Sequence, residues 1–212
     1  MKKALIVIFA IILTVALLSP AFWDLVSPSN AEDEKGFGQL KVQSFAGEYE
    51  VYVDKNLIGS VEDKGEKVFT RISSGKREVA IVRKSSVDNF YFKLIREIDF
   101  LPSTQVELNW EAGPSMESSS GILKYFTRVI NPGGSELLVI PFPADSEILI
   151  NSSKPERNLI DITDIGERKV LVKNSEQFIP NEFTVFLKDE SNNTVPKNIR
   201  LIVEVYLYKK PI

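Results

Sequence analysis

Cysteine and histidine are both absent from the 212 residues of this chain, and the two absences exclude several classes of function. Without cysteine there is no disulfide framework, no thiol nucleophile and no thiolate metal site. Without histidine there is no nucleophile activated by an imidazole and none of the usual zinc sites. We therefore expect a protein that is not an enzyme, with no catalytic, cofactor-binding or metal-ligating residue and no cofactor.

The chain also lacks a long run of basic residues. It carries 26 lysines and arginines against 29 aspartates and glutamates, a net charge of −3, and the two signs are mixed along the sequence. A surface that binds nucleic acid needs clustered cations to displace counterions from the phosphates. The sequence therefore predicts no nucleic-acid partner.

One long apolar run is present, at the N-terminus. Residues 4–18 follow two lysines, and a charged start before a short apolar run is typical of a secretory signal, here with small-residue cleavage positions at 19–21 or 29–31. Extended to Trp23, the segment 4–23 would span about 30 Å as a helix, enough to cross a bilayer. A cleaved signal and an uncleaved anchor both remain open, and both place the body outside the cytoplasm.

We therefore assign residues 1–26 to a signal peptide or transmembrane anchor. Residues 27–37 are polar and without apolar periodicity, which predicts a flexible spacer. If residues 4–23 are not cleaved, they contact the membrane as an anchor, and the predicted location is the cell membrane with extracytoplasmic domains. It is secreted or periplasmic if the signal is removed.

An internal repeat organises the rest of the chain. Residues 40–54 align without a gap with residues 137–151 at an offset of 97, so that Asp54 meets Asn151. At a later turn Gly75 meets Gly166, and there the offset is 91, six fewer than before. In the last strands the offset is 97 again, and Val106 meets Val203. A length difference confined to a loop is expected of a structural repeat, so the chain holds two related units.

Each unit has the pattern of a small β-domain. Tyr49, Val51 and Val53 alternate with polar residues and are predicted to share one face of a strand. Short strands about ten residues apart with polar turns predict an antiparallel sandwich, and no segment of the body has a sustained helical period. The fold class is therefore all-β, with two tandem small antiparallel β-sandwich domains at 38–112 and 134–212 after the N-terminal hydrophobic segment.

The linker between the two units, residues 113–133, contains a further β-rich stretch at 122–130. One hypothesis is that this stretch pairs with an edge strand of a repeat and fixes the two domains relative to each other. The alternative is an additional strand of the first domain. The apolar segment 198–208 is expected inside a sheet, because an exposed apolar edge strand invites aggregation.

Several of these residues resemble a known family. The strand 51–54, the following Gly59 and the segment 74–79 are similar to the PEGA domain, a small β-domain of bacterial and archaeal surface proteins. The resemblance covers residues 38–112, and a second, divergent copy is supported by its strand pattern and by residues 166–170. The resemblance implies a non-enzymatic structural or binding module of the cell envelope. The family has no known catalytic residues, so the resemblance implies none in this chain.

Two acidic segments of the sequence are candidate sites. Asp161, Asp164 and Glu167 are close in sequence, and such carboxylates can serve hydrolysis or bind Ca²⁺. Strand alternation and the adjacent turn at Gly166 instead favour a solvated hairpin. Residues 189–193 resemble a Ca²⁺ loop but lack its central glycine and terminal glutamate, so we predict a turn.

The alternative function is that of a carbohydrate-binding accessory protein of the cell wall or surface glycan. Aromatic rings can stack on the apolar faces of sugars, although most aromatic residues on strands belong to cores or cross-strand pairs. The candidates for such a face are Tyr52, Tyr91, Trp110, Tyr125, Tyr206 and Tyr208. The expected partner is an envelope protein or a surface glycan.

Glycosylation sequons are present at Asn151 and Asn192.

Overall fold

The computed structural model describes residues 36–85, 90–131, 133–188 and 194–211, and these ranges form strands and their connections without a helix. The prediction of an all-β fold is confirmed. Within the same ranges, no helix has the length and hydrophobicity that crossing a membrane requires. The predicted signal or anchor at 1–26, most of the spacer and the turn at 189–193 lie outside the described residues.

Fourteen strands occur in the described ranges. Those of the first copy are β1 (Phe37–Ala46), β2 (Tyr49–Val53), β3 (Asn56–Val61), β4 (Glu66–Ser73), β5 (Gly75–Arg83), β6 (Leu94–Phe100) and β7 (Gln105–Glu111). The linker contributes β8 (Ser120–Arg128). Those of the second copy are β9 (Ser135–Phe142), β10 (Glu147–Ile150), β11 (Leu159–Ile162), β12 (Arg168–Lys173), β13 (Asn181–Val185) and β14 (Ile199–Tyr206).

The strands form one large sheet and two small ones. The large sheet has seven strands in the order β11-β9-β14-β8-β7-β1-β4. The small sheets are β3-β2-β5-β6 and β10-β12-β13. The first and last strands of each copy, β1 with β7 and β9 with β14, run parallel, so the sheets are not purely antiparallel as predicted. The reason is that the chain passes through the small sheet before it returns, and such a long crossover can join parallel neighbours.

Strand β8 joins the two copies. It pairs antiparallel with β7 on one side and with β14 on the other, for example through Leu108 with Leu123 and Val203 with Lys124. The hypothesis that the linker strand pairs with an edge of a repeat is confirmed, and the pairing reaches both copies. The last strand, β14, lies between β8 and β9, which confirms its predicted place inside a sheet.

Two hydrophobic cores lie on opposite faces of the large sheet. On β14, Val203 and Val205 belong to the core of the second copy, whereas Tyr206 belongs to the core of the first. On β8, Leu123 packs in the first core and Ile122 against the second. Because successive side chains of a strand point to opposite faces, β8 and β14 are covered on both sides. The four-stranded sheet covers the first core and the three-stranded sheet covers the second.

The turn after the second strand is the same in both copies. Asp54 and Asn151 have φ values of 49° and 48°, and the residue after each has 66° and 68°. The Asp54 carboxylate accepts a hydrogen bond from the Glu78 amide at 3.1 Å, and the Asn151 side chain accepts one from the Lys169 amide at 3.0 Å. Asp and Asn tolerate the left-handed region and bond to nearby backbone. The aligned pair Asp54 and Asn151 therefore has one structural role.

The last strands are aligned differently from the sequence prediction. Leu40 pairs with Val106 in the first copy, whereas Leu137 pairs with Leu201 in the second. Val106 thus corresponds to Leu201, an offset of 95 residues, and the predicted offset of 97 is wrong for these strands. A slip of two residues leaves the same side chains facing the core, so the hydrophobic pattern cannot detect it.

The close contact between β7 and β8 allows the effect of a substitution at Gly121 to be predicted. A Cβ added to this glycine would lie 2.2 Å from the Asn109 carbonyl oxygen and 2.7 Å from the Trp110 ring. We expect Gly121→Ala to lower the melting temperature by about 5 °C, because β8 and β7 must separate to admit the methyl group. Gly133→Ala is the control, since its nearest neighbour would be the Asn131 side chain at 3.5 Å. Equal melting temperatures for the two variants would contradict the close approach.

Candidate functional site

An arginine occupies a core position of β6. Arg96 lies between Leu94 and Ile98 on the inward face of the strand, and these two neighbours are 2% and 1% exposed. Val79 pairs with Arg96, and the aligned Val170 of the second copy pairs with Phe183. The position that holds a phenylalanine in the second copy therefore holds a guanidinium in the first.

Arg96 reaches β14 of the second copy. Its Nε donates to Glu204 Oε2 at 2.8 Å, and its Nη2 donates to the Tyr206 hydroxyl. The Tyr206 hydroxyl in turn donates to Glu204 Oε2 at 2.6 Å, and the Tyr125 hydroxyl donates to Glu204 Oε1 at 3.3 Å. We call these four residues the Arg96–Glu204 cluster. Both carboxylate oxygens of Glu204, a residue only 5% exposed, thus accept hydrogen bonds.

Aromatic rings surround this cluster. The Phe142 ring stacks on the Tyr206 ring with centroids 4.5 Å apart, and the Arg96 guanidinium lies 5.5 Å from the Phe142 centroid. Trp110 of β7 meets Tyr206 edge-on at 5.0 Å. A cation over aromatic faces is attracted by the ring quadrupoles, more strongly where water is excluded. The cluster therefore fixes β6 of the first copy to β14 of the second by both charge and packing.

The electrostatics of the cluster favour the neutral form of its tyrosines and the charged form of Arg96. Burial, reinforced by the hydrogen bond and the charge of Glu204, raises the pKa of Tyr206 well above its ordinary value. Burial and the charge of Glu204 likewise raise the pKa of Tyr125 to about 12. Burial acts against the Arg96 cation, but the Glu204 partner gives a net rise of the pKa of Arg96. Both tyrosines are therefore neutral and Arg96 is charged at physiological pH, which suits a structural ion pair.

The acidic residues singled out in the sequence do not come together. Asp164 pairs with Arg168 at 2.6 Å, and Asp161 accepts a hydrogen bond from the Asn131 amide group at 3.2 Å. Asp161, Asp164 and Glu167 are all exposed. In the described part of the chain, no three acidic side chains are grouped so that they could hold a metal ion.

The six aromatic candidates do not share one face. Trp110 and Tyr206 are 0% and 1% exposed and belong to the first core, so no sugar can stack on them. Tyr52 lies on the outer face of the four-stranded sheet and donates to Glu50 at 2.7 Å. Tyr91 lies under the Arg83 guanidinium at 4.1 Å. The predicted stacking surface is therefore not formed.

Sequence reasoning did not single out Arg96 and Glu204, although both leave a signal. Arg96 interrupts the apolar series Leu94, Ile98 and Phe100, and Glu204 is the one acidic residue of the apolar strand β14. A charged residue at an inward position is rarely left unpaired. The two interruptions together could have suggested a buried ion pair. Of the two sequons, Asn151 lies in the turn described above and Asn192 lies outside the described residues.

Comparison with known proteins yields little. No family model matches the chain, and no curated protein matches it significantly. Among solved structures, "The Bacillus anthracis TIE protein" is similar with a TM-score of 0.26 and 11% sequence identity. The match covers 83% of this chain and 35% of that chain, so this chain spans about a third of that protein's length. A TM-score of this size supports no statement about fold or function.

The Arg96–Glu204 pair should be a major determinant of stability. Arg96→Ala leaves the buried Glu204 charge without its cation, and removing one partner of a buried pair costs about 3–5 kcal/mol. We expect a loss of this size in the free energy of unfolding measured by urea denaturation. Lys76→Ala is the control: the Lys76 and Glu97 side chains are 75% and 67% exposed, and such a pair contributes about 0–1 kcal/mol.

A double variant separates the lost ion pair from lost packing. Replacing both charged partners by neutral residues, Arg96→Met with Glu204→Gln, removes the pair without leaving a buried charge, and the side-chain amide oxygen can still accept a hydrogen bond from a tyrosine hydroxyl. This double variant should recover most of the stability lost in Arg96→Ala. If it is instead no more stable than Arg96→Ala, the loss comes from packing around Arg96 and the electrostatic account is wrong.

The raised pKa values of the tyrosines in the cluster predict that the folded protein loses stability at alkaline pH. An unfolded tyrosine loses its proton near pH 10, about two units below the folded pKa of Tyr125, which is about 12. Between these values the unfolded state binds fewer protons, so the free energy of unfolding must fall as pH rises. We expect a shallower fall in Tyr125→Phe between about pH 10 and 12, measured by urea denaturation at each pH. Identical slopes would contradict the prediction.

Proposed function

We propose that this chain is a non-enzymatic protein of the cell envelope, in which tandem PEGA-like β-domains act as a structural or binding module. The observation that carries the proposal is the seven-stranded sheet, in which β8 pairs with both copies. The described residues 36–211 accordingly belong to one compact unit rather than two. A unit of this kind can hold its outer faces and edges in a fixed arrangement for a partner.

The buried polar chemistry of the chain supports this role. Within the Arg96–Glu204 cluster the Tyr206 hydroxyl both accepts and donates, and Arg96 Nη1 donates to the Ile95 carbonyl at 2.8 Å. These hydrogen bonds stabilise the contact between the two copies. A cluster of this kind serves rigidity, because a fully satisfied polar network favours a single arrangement of the elements that it connects.

The finer domain assignment is part of the same proposal. Residues 38–112 and 134–212 each supply one small sheet, part of the large sheet and a core, as expected of two related sandwich domains. The shared turn at Asp54 and Asn151 supports a common origin of the copies and, with it, the proposal of a second, divergent PEGA-like copy. Residues 4–23 would supply the membrane anchor, or the export signal if they are removed.

Cell fractionation tests the envelope location. We expect a C-terminally tagged chain to remain in membranes after an alkaline wash and to be cut by external protease once any outer barrier is opened. A tag found in the periplasm or medium, at a mass lacking the first twenty to thirty residues, would support the cleaved form of the same proposal. A tag that stays in the cytoplasm at the mass of the whole chain would contradict an envelope protein.

A second experiment tests the non-enzymatic role. The purified chain is incubated with envelope polysaccharide, and both retention and release of soluble fragments are measured. Release of fragments would contradict the proposal. Retention without release would favour the carbohydrate-binding alternative over a protein partner.

A further inference from the structure

We propose that the first copy binds an extended peptide with a free carboxylate, in a cleft between the edge strands β3 and β4. The inference rests on the proposed binding role and names the partner chemistry of one surface. The cleft has a volume of about 500 Å³. Its lining residues are Val53, Asp54, Asn56, Ile58, Val68, Phe69, Thr70, Arg71, Ile72, Ser73 and Arg77.

The floor of the cleft is apolar. Phe69 and Ile72 are each 7% exposed and belong to the first core, while Ile58 and Val68 at the sides are 37% and 42% exposed. The cleft therefore offers a partly covered apolar surface that a side chain of a ligand could bury. Burial of a valine or leucine side chain of the ligand against this surface would favour binding.

Both walls of the cleft are edge strands with a bulge. β3 pairs with β2 alone and β4 with β1 alone, so each has an edge open to a further strand. In β3 the register shifts between Gly59 and Leu57, which leaves Ile58 as the additional residue. In β4 it shifts between Ile72 and Phe69. Bulges redirect side chains, and here the residues of both bulges line the same cleft.

Arg71 gives the cleft its charge. It lies in the β4 bulge with a φ of 62°, a left-handed conformation that costs free energy for a residue other than glycine, and its side chain is exposed. Arg71 makes no hydrogen bond or ion pair within the described residues. The other two charged residues of the lining, Asp54 and Arg77, pair with each other at 3.1 Å. The cleft thus carries one unpaired cation, which complements a carboxylate.

The described part of the second copy lacks elements that shape this cleft. Within the described ranges no strand corresponds to β3, because the chain passes from β10 to β11 through the short loop 151–158. β11 pairs with β9 without a register shift, and the residue in the position of Ile72 is the buried Ile162. The two bulges, the wall formed by β3 and the unpaired arginine are therefore features of the first copy, and the common fold does not require them.

An extended peptide fits these features best. Its backbone can pair with an open strand edge, its alternate side chains can enter the apolar floor, and a terminal carboxylate can form a charge-assisted hydrogen bond with Arg71. We therefore expect the natural partner to be a protein with an accessible C-terminal segment that alternates between apolar and polar residues.

The test uses the whole chain, purified in a nonionic detergent, and a fluorescein-labelled hexapeptide of alternating threonine and valine that ends in valine. Fluorescence anisotropy should show saturable binding of the peptide with a free carboxylate. The same peptide with an amidated C-terminus should bind about tenfold more weakly, because it cannot pair with Arg71. Absence of saturable binding up to about 1 mM, or equal affinity for the two peptides, would overturn the proposal.

Two neighbouring residues provide matched variants. Ile58→Asp places a charge in the cleft and should lower the affinity at least tenfold, about the effect of losing a buried apolar contact. Leu57→Asp changes the adjacent residue of the same strand, which lies outside the lining, and should leave the affinity within about twofold. Equal losses in both variants would place the peptide elsewhere and contradict the cleft.

Arg71→Asn completes the set, because asparagine tolerates the left-handed conformation and the variant should fold. It should weaken binding of the free acid about tenfold and leave the amidated peptide unchanged. Peptide binding in solution is independent of cellular location. Failure of this test would therefore contradict the peptide cleft but not the proposed envelope module. A cytoplasmic location in the fractionation experiment would contradict the envelope module but not the cleft.

Discussion

The ion pair between Arg96 and Glu204 makes it possible for β14 to be buried on both faces. One face of this strand carries valines into the core of the second copy, while the other turns toward the first copy and carries Glu204 and Tyr206. A carboxylate in that position would be costly without a cation, and Arg96 supplies one from an inward position of β6. The sheet can therefore continue through β14 because a charged side chain of the other copy meets it.

The opposite placement of the two cores follows from this continuity. β8 pairs on both sides, and its side chains alternate, so Leu123 and Ile122 enter different cores. The Arg96–Glu204 cluster ties the four-stranded sheet to β14, and the β8 ladders tie β14 to the strands of the first copy. The hydrophobic effect stabilises each half, whereas backbone hydrogen bonds and one buried ion pair fix how the halves are joined.

Local features of this fold could be predicted, and of the long-range features only the pairing of the linker strand and the interior place of β14. Alternation predicted the inward face of Tyr49 and Val51, because it depends on neighbours in sequence. The gapless alignment matched Asp54 with Asn151, and the structure gives the two residues the same turn conformation. The parallel first and last strands, the slip of two residues in β14 and the pairing of Arg96 with Glu204 depend on which strands meet. Arg96 and Glu204 are 108 residues apart, and no periodic pattern links them. The site was missed for the same reason, since an arginine among apolar residues has meaning only beside its partner.

The two copies differ at an inward position of β6 and at the edge formed by β3 and β4. At the inward position of β6 the first copy has Arg96, which joins the halves, and the aligned Phe183 of the second copy fills its own core. At the open side of the first sandwich, β3 and two bulges form an apolar cleft around the unpaired Arg71, while the second copy connects the same elements by a short loop. A bulge and a left-handed arginine weaken a sheet edge, and neither contributes to the join between the copies. A surface feature that costs stability is consistent with a contact made there, such as the peptide contact proposed for the first copy.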